Sequence, residues 1–175
     1  MAPKLSKLGY IQGEGRFAIK DKQLRVKLLP MLQQGSYTPK GDVDRGLTWL
    51  DDRQIVVSRS KEQEWSTEPA QRPLPSLVKV DTAVKAPQGQ ITFSTPPEQW
   101  GDYQPQWVRS ASRVSWIRTD RKQADVWLAR PDGQGAERYI AGIGTGAGSP
   151  EPVYYEAWDW SSALAWYDPP VQRSE

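Results

Sequence analysis

"GDYQPQWVRSASRVSWIRTDRKQADVWLARPDGQG", residues Gly101–Gly135, holds Trp107, Trp116 and Trp127, two separate alternations of apolar and polar residues, and a Pro131-Asp132-Gly133 turn. Alternation with period two puts successive side chains on opposite faces of a strand, and Pro-Asp-Gly reverses the chain. The stretch therefore predicts a short antiparallel unit. Its pattern returns on both sides. "TWLDDRQIVVSR" sets Trp49 six residues before Ile55, "QWVRSASRVSWIR" sets Trp107 seven before Val114, and "AWDWSSALAWYD" sets Trp158 six before Leu164. The residues leading in agree as well. Gly41-Asp42 precedes Trp49 as Gly101-Asp102 precedes Trp107, and Tyr103 and Tyr154 each stand four residues before their tryptophan. The tryptophans are 58 and 51 residues apart. A degenerate first copy runs from Leu8, with Tyr10 seven residues before Phe17. Periods near fifty with several short strands each predict propeller blades, because one small sheet cannot bury both of its faces without stacked neighbours.

Residues 101–140 resemble the blade repeat of TolB-like β-propellers. Pro105-Gln106-Trp107 matches the Pro-x-Trp that opens such a repeat, Asp125-Val126-Trp127-Leu128 its Asp-[Ile/Val]-[Trp/Tyr]-[Val/Leu] strand, and Asp132-Gly133 its turn. "VRSASR" replaces the usual Ser-Pro-Asp-Gly after the tryptophan. Residues 41–83 match loosely and 153–168 only as a half-blade. The resemblance implies an all-β fold of propeller-type blades. It also implies a periplasmic or extracellular role in envelope assemblies, although "MAPKLSKLGY" lacks the apolar core of a signal peptide. It specifies a fold more than a chemistry.

The rest of the chain fits a single all-β domain over 1–175, with candidate units at 8–40, 41–90, 91–150 and 151–168. Fifteen prolines and fourteen glycines punctuate short runs such as "QLRVKLL", "RQIVVSR", "SLVKV", "QITFS", "RVSWIR" and "ADVWLAR", which is the all-β pattern. "RFAIK", "PVYYEAW" and "ALAWY" read as further strands, and "KLLPMLQQ" is a weak helix candidate interrupted by Pro30. Ser60–Pro75 and Ala141–Pro152 read as long surface loops. About three and a half repeats leave an incomplete ring, a ring finished by another chain, or a small closed ring. A β-sandwich or barrel is the alternative.

Composition removes several chemistries. There is no cysteine and no histidine, so disulfides, His- or Cys-ligated metals and a Ser-His-Asp arrangement are excluded. No metal and no cofactor is expected; "DVDRG" (Asp42 to Gly46) is only a weak carboxylate loop. "GIGTGAG" is followed by Pro150 and Pro152 rather than by a helix, which argues against a phosphate cradle. No apolar run is long enough for a membrane span. The net charge of +2 is no nucleic-acid signature. Arg109, Arg113, Arg118, Arg121, Lys122 and Arg130 read as the wet face of a half-buried sheet rather than a track for single strands. Charge is nevertheless uneven: residues 1–29 carry seven bases and two acids, residues 150–175 five acids and one base. The two stretches read as solvated surfaces; the alternative is that the two ends attract, within one chain or between chains.

Tryptophans are the remaining lead. Trp107, Trp116, Trp127 and Trp166 sit in strand patterns and read as core. Trp65, Trp100, Trp158 and Trp160 lie near loops or strand starts, and with Tyr103, Tyr154 and Tyr155 form the candidate partner-binding set. The expected function is a non-catalytic propeller-like module or subunit that contacts protein or itself. The alternative is a carbohydrate-binding module or carboxylate-dependent glycoside hydrolase using the Tyr/Trp/Glu cluster around Glu156.

Overall fold

Glu62 marks the point where the first long strand pair ends and a proline-rich link to the next strand of the same sheet begins. A computed structural model of the chain describes residues 7–13, 20–28, 34–64, 67–68, 71–84, 87–143 and 165–167. They form eleven strands in three antiparallel sheets. The first sheet holds β1 (Lys7–Gln12), β2 (Gln23–Leu28) and β3 (Gln34–Ser36). The second holds β4 (Asp42–Trp49), β5 (Gln54–Lys61), β6 (Ser76–Asp81) and β7 (Gln90–Thr92). The third holds β8 (Gly101–Val108), β9 (Arg113–Thr119), β10 (Ala124–Ala129) and β11 (Glu137–Ile140). Each sheet is a meander in which neighbours in sequence pair in space. No sheet curls into a barrel. The three stack as consecutive propeller blades, so the sandwich and barrel alternatives are set aside.

Burial explains the stacking. Leu24 and Val26 of blade 1 pack against Trp49, Ile55, Val57 and Val80 of blade 2. On the other side of blade 2, Val56, Leu77 and Phe93 pack against Val114, Trp116 and Ala129 of blade 3. Blade 2 is thus apolar on both faces, as a sheet between two others must be. Trp116 is 1% exposed, stacks on Trp127 at 6.3 Å between ring centroids and meets the edge of Phe93. Trp107 and Trp127 are half-buried against the same cluster. Trp166 is half-buried too; it lies on the far face of blade 3, over Ile117, Ala124 and Val126. Its indole N–H donates to Ser115 at 2.7 Å and its ring meets Tyr139.

The first strands of blades 2 and 3 run beside each other, and both bulge two residues after an aspartate. β4 is irregular between Arg45 and Leu47, β8 between Tyr103 and Gln106. Gly46 has φ +46° and Gln104 φ +50°. A side chain added at Gly46 would come within 2.7 Å of Gln104 Oε1. The bulge in β8 also accommodates Pro105, which has no N–H to give to a ladder.

Several expectations shift. Ser60 and Lys61 still belong to β5, so the first long loop begins at Glu62. "QITFS" pairs only over Gln90–Thr92; Phe93 and Ser94 have left the ladder. "RFAIK" apart from Lys20, "PVYYEAW", and "KLLPMLQQ" apart from Lys27, Leu28 and Gln34 lie outside the described residues, as does the half-blade repeat around Trp158 apart from residues 165–167.

Candidate functional site

A polar clasp recurs at each seam between blades, and a cleft opens on the loop face between blades 2 and 3.

At the first seam, Thr38 Oγ1 accepts the Leu24 N–H at 2.6 Å and donates to Asp44 Oδ2 at 2.6 Å. Asp44 receives Arg59 through Nε at 2.5 Å and Nη2 at 2.7 Å. At the second seam, Ser94 Oγ accepts the Leu77 N–H at 2.9 Å and donates to Asp102 Oδ2 at 2.5 Å. Asp102 receives Arg118 through Nε at 2.7 Å and Nη2 at 2.9 Å. Two backbone bonds repeat with them. Tyr37 N–H reaches Leu24 O and Phe93 N–H reaches Leu77 O; Asp44 N–H reaches Lys22 O and Asp102 N–H reaches Pro75 O. Both carboxylates are fully buried. A buried charge is costly unless paired and hydrogen-bonded, and each two-pronged guanidinium–carboxylate pair meets that condition. Arg118 is further held over the Trp127 ring, 4.2 Å from its centroid.

These contacts correct two readings of the sequence. Arg118 is 7% exposed and is not on a wet face. The aspartate equivalent to Asp102 is Asp44, not Asp42: each stands directly across the ladder from its arginine and five residues before its tryptophan. Asp42 pairs instead with exposed Lys61. "DVDRG" is strand, with Asp44 occupied by Arg59, and offers no carboxylate loop. Among the described residues, no three acidic side chains gather to hold a metal ion.

The cleft, about 570 Å³, opens where three links meet. Arg72 and Leu74 come from the β5–β6 link, Pro96 to Trp100 from the β7–β8 link, and Asp120 and Arg121 from the β9–β10 turn. Its volume lies within the range of small-ligand and peptide pockets. Trp100 is half-buried, and its N–H closes a turn onto Pro97 O at 3.1 Å. Gln99 in that turn has φ +64°. Arg72 is 8% exposed, with Nε bonded to Thr67 O at 2.9 Å, and the Arg121 guanidinium donates to the Arg72 carbonyl. Asp120 Oδ1 accepts the Lys122 and Gln123 N–H groups, which fixes the turn. Glu98 is exposed at the rim. The cleft thus offers an aromatic face, a proline wall and charges of both signs, a set suited to recognition.

Of the two described members of the candidate binding set, Trp100 and Tyr103, Trp100 lines this cleft. Tyr103 packs elsewhere, against the buried cluster of Ile117, Ala124 and Val126. Trp65, Tyr154, Tyr155, Trp158 and Trp160, and with them the cluster around Glu156, lie outside the described residues. The sequence does not single out Arg72, and it presents Arg121 only as one of the cations of a wet sheet face; the link and turn that carry them meet only in the fold.

Comparison with solved structures agrees with this architecture. A structure from Agrobacterium tumefaciens assigned to TolB superposes with a TM-score of 0.57 at 13% identity, covering 81% of this chain and 48% of that one. A prolyl endopeptidase superposes with a TM-score of 0.58 at 11% identity, covering 79% of this chain and 18% of that one. The chain has the fold of a TolB-like β-propeller and spans about half the length of the TolB structure. No family model matches the sequence, and no curated protein does.

Proposed function

We propose that this chain is a non-catalytic propeller module that binds a protein partner through the cleft around Trp100. The observation that carries the reading is the placement of a half-exposed tryptophan, flanked by Pro96, Pro97, Arg72 and Arg121, at a junction of three links on one face of adjacent blades. Aromatic and arginine side chains are the usual anchors of protein interfaces, and connecting loops on a rigid scaffold are where binding residues concentrate. A photo-crosslinking side chain at Gln99 tests it. A discrete crosslinked protein that disappears on Trp100→Ala, with the thermal unfolding midpoint retained, is the expected result. Crosslinking that is absent, or unchanged by the substitution, would rule the cleft out.

A further inference from the structure

Blade 1 differs from its neighbour at four defined positions. The seam contacts make Leu24 the equivalent of Leu77, each giving its N–H to the clasp hydroxyl. The registers then align Leu8, Tyr10, Arg25 and Lys27 with Ile55, Val57, Val78 and Val80. In blade 2 these four are aliphatic and pack toward blade 1. In blade 1 the same face points away from blade 2, because Gly9 touches the Trp49 ring and Lys7 Nζ reaches the Asp52 carbonyl from the opposite one. Two aliphatic positions have become cations, and Leu8 is 36% exposed. Such a face suits neither a dry blade neighbour nor plain solvent. It offers an apolar pair, Leu8 and Tyr10, beside an arginine and a lysine.

The last part of the sequence carries the opposite sign. Residues 150–175 hold five acids, one base and the aromatic residues Tyr154, Tyr155, Trp158 and Trp160. This stretch is tied to blade 3 through Trp166, by its bond to Ser115 and its contact with Tyr139. Blade 2 stands between that anchor and blade 1. Val153 occupies the position five residues before Trp158 where the two clasps have aspartate, so the sequence does not repeat the clasp there.

We propose that the outer face of blade 1 is an interface for a second copy of this chain, receiving the acidic, aromatic stretch 150–175 carried at the far end of its partner. Opposite charges give the contact its polarity, and the aromatics supply apolar area against Leu8 and Tyr10. The contact is head to tail; made twice, it closes into a two-chain ring. The inference is independent of the Trp100 cleft, which lies between blades 2 and 3.

Light scattering after size-exclusion chromatography on the full chain tests this. A mass near twice 19.8 kDa at low salt, falling toward one chain as salt rises, is expected. Reversal of either side, Arg25→Glu with Lys27→Glu or Glu151→Lys with Glu156→Lys and Asp159→Lys, should give monomers. Mixing the two reversed chains should restore the larger mass, which a merely misfolded variant cannot do. A monomeric unmodified chain at all concentrations, a mass unaffected by either reversal, or failure of the mixture to associate would each overturn the proposal.

Discussion

Asp102 accepts hydrogen bonds from Ser94 and from two nitrogens of Arg118, and has no exposure to water. Removing it strands a buried guanidinium. Asp102→Ala should therefore destabilise by about 3–5 kcal/mol in urea unfolding. Asp102→Ala in an Arg118→Met background should cost much less, because no charge is left unpaired; the two together form a double-mutant cycle. Thr38→Ala and Ser94→Ala, which orphan a buried amide, should each cost about 1–3 kcal/mol. Two glycines permit a sharper comparison. Both Gly46 and Gly133 have positive φ. An added Cβ at Gly46 meets the far end of the Gln104 side chain, which can swing away; at Gly133 it meets the Phe93 carbonyl oxygen at 2.7 Å, which cannot. Gly133→Ala should lower the unfolding midpoint more than Gly46→Ala, although the backbone strain is similar.

At the scale of strands and turns, much was legible and the reasons for the rest are specific. The runs at Gln54, Ser76, Arg113 and Ala124 are short, rich in Val, Ile and Trp and bounded by turn residues, and each is a strand. The Trp49 and Trp107 frames fixed two blades because both tryptophans end or nearly end a first strand. Arg118 was misread because alternation gives a face and not its neighbours; only the ladder shows that Asp102 lies opposite. Asp42 resembles Asp102 in sequence because both follow a glycine, whereas the count from the tryptophan points to Asp44. The spacing signal was available: "VVSRS" and "SWIRT" each end with an arginine followed by a hydroxyl residue. Nothing in the sequence joins Arg121, one of the basic set, to Arg72, since the cleft depends on how links cross between blades. One turn should respond to pH. Asp81 accepts the Ala83 N–H and the Arg53 guanidinium, and these hold its carboxyl below the usual value. The stability it contributes is complete above the unfolded aspartate value, about 3.9, and is lost as pH falls through the lower folded value. Urea midpoints measured from neutral to strongly acidic pH should decline across that window, and Asp81→Asn should flatten part of the decline.

For the molecule as a whole, three blades stack in sequence order, with a loop-built cleft between two of them, and the sequence carries unlike charge toward its two ends. Fold likeness alone does not assign activity, so the discriminating measurements concern binding. Titrating the chain with a broad set of oligosaccharides should leave tryptophan emission unchanged if the cleft is a protein site. A saturable shift that survives Trp100→Ala would instead favour the carbohydrate reading near Glu156.

The clasp has a direction along the chain. An amide in one blade, a hydroxyl in the next link, a carboxylate in the following first strand and an arginine in its second strand join in order of synthesis. Each lock is finished by the last of its parts to leave the ribosome, Arg59 for the first and Arg118 for the second. A nascent chain can therefore fasten its first seam while the second is still being made, and growth proceeds like a ratchet that clicks once per blade. Stalled chains ending well beyond Arg59 but before Arg118 should already protect the Leu24 amide from exchange while leaving that of Leu77 open.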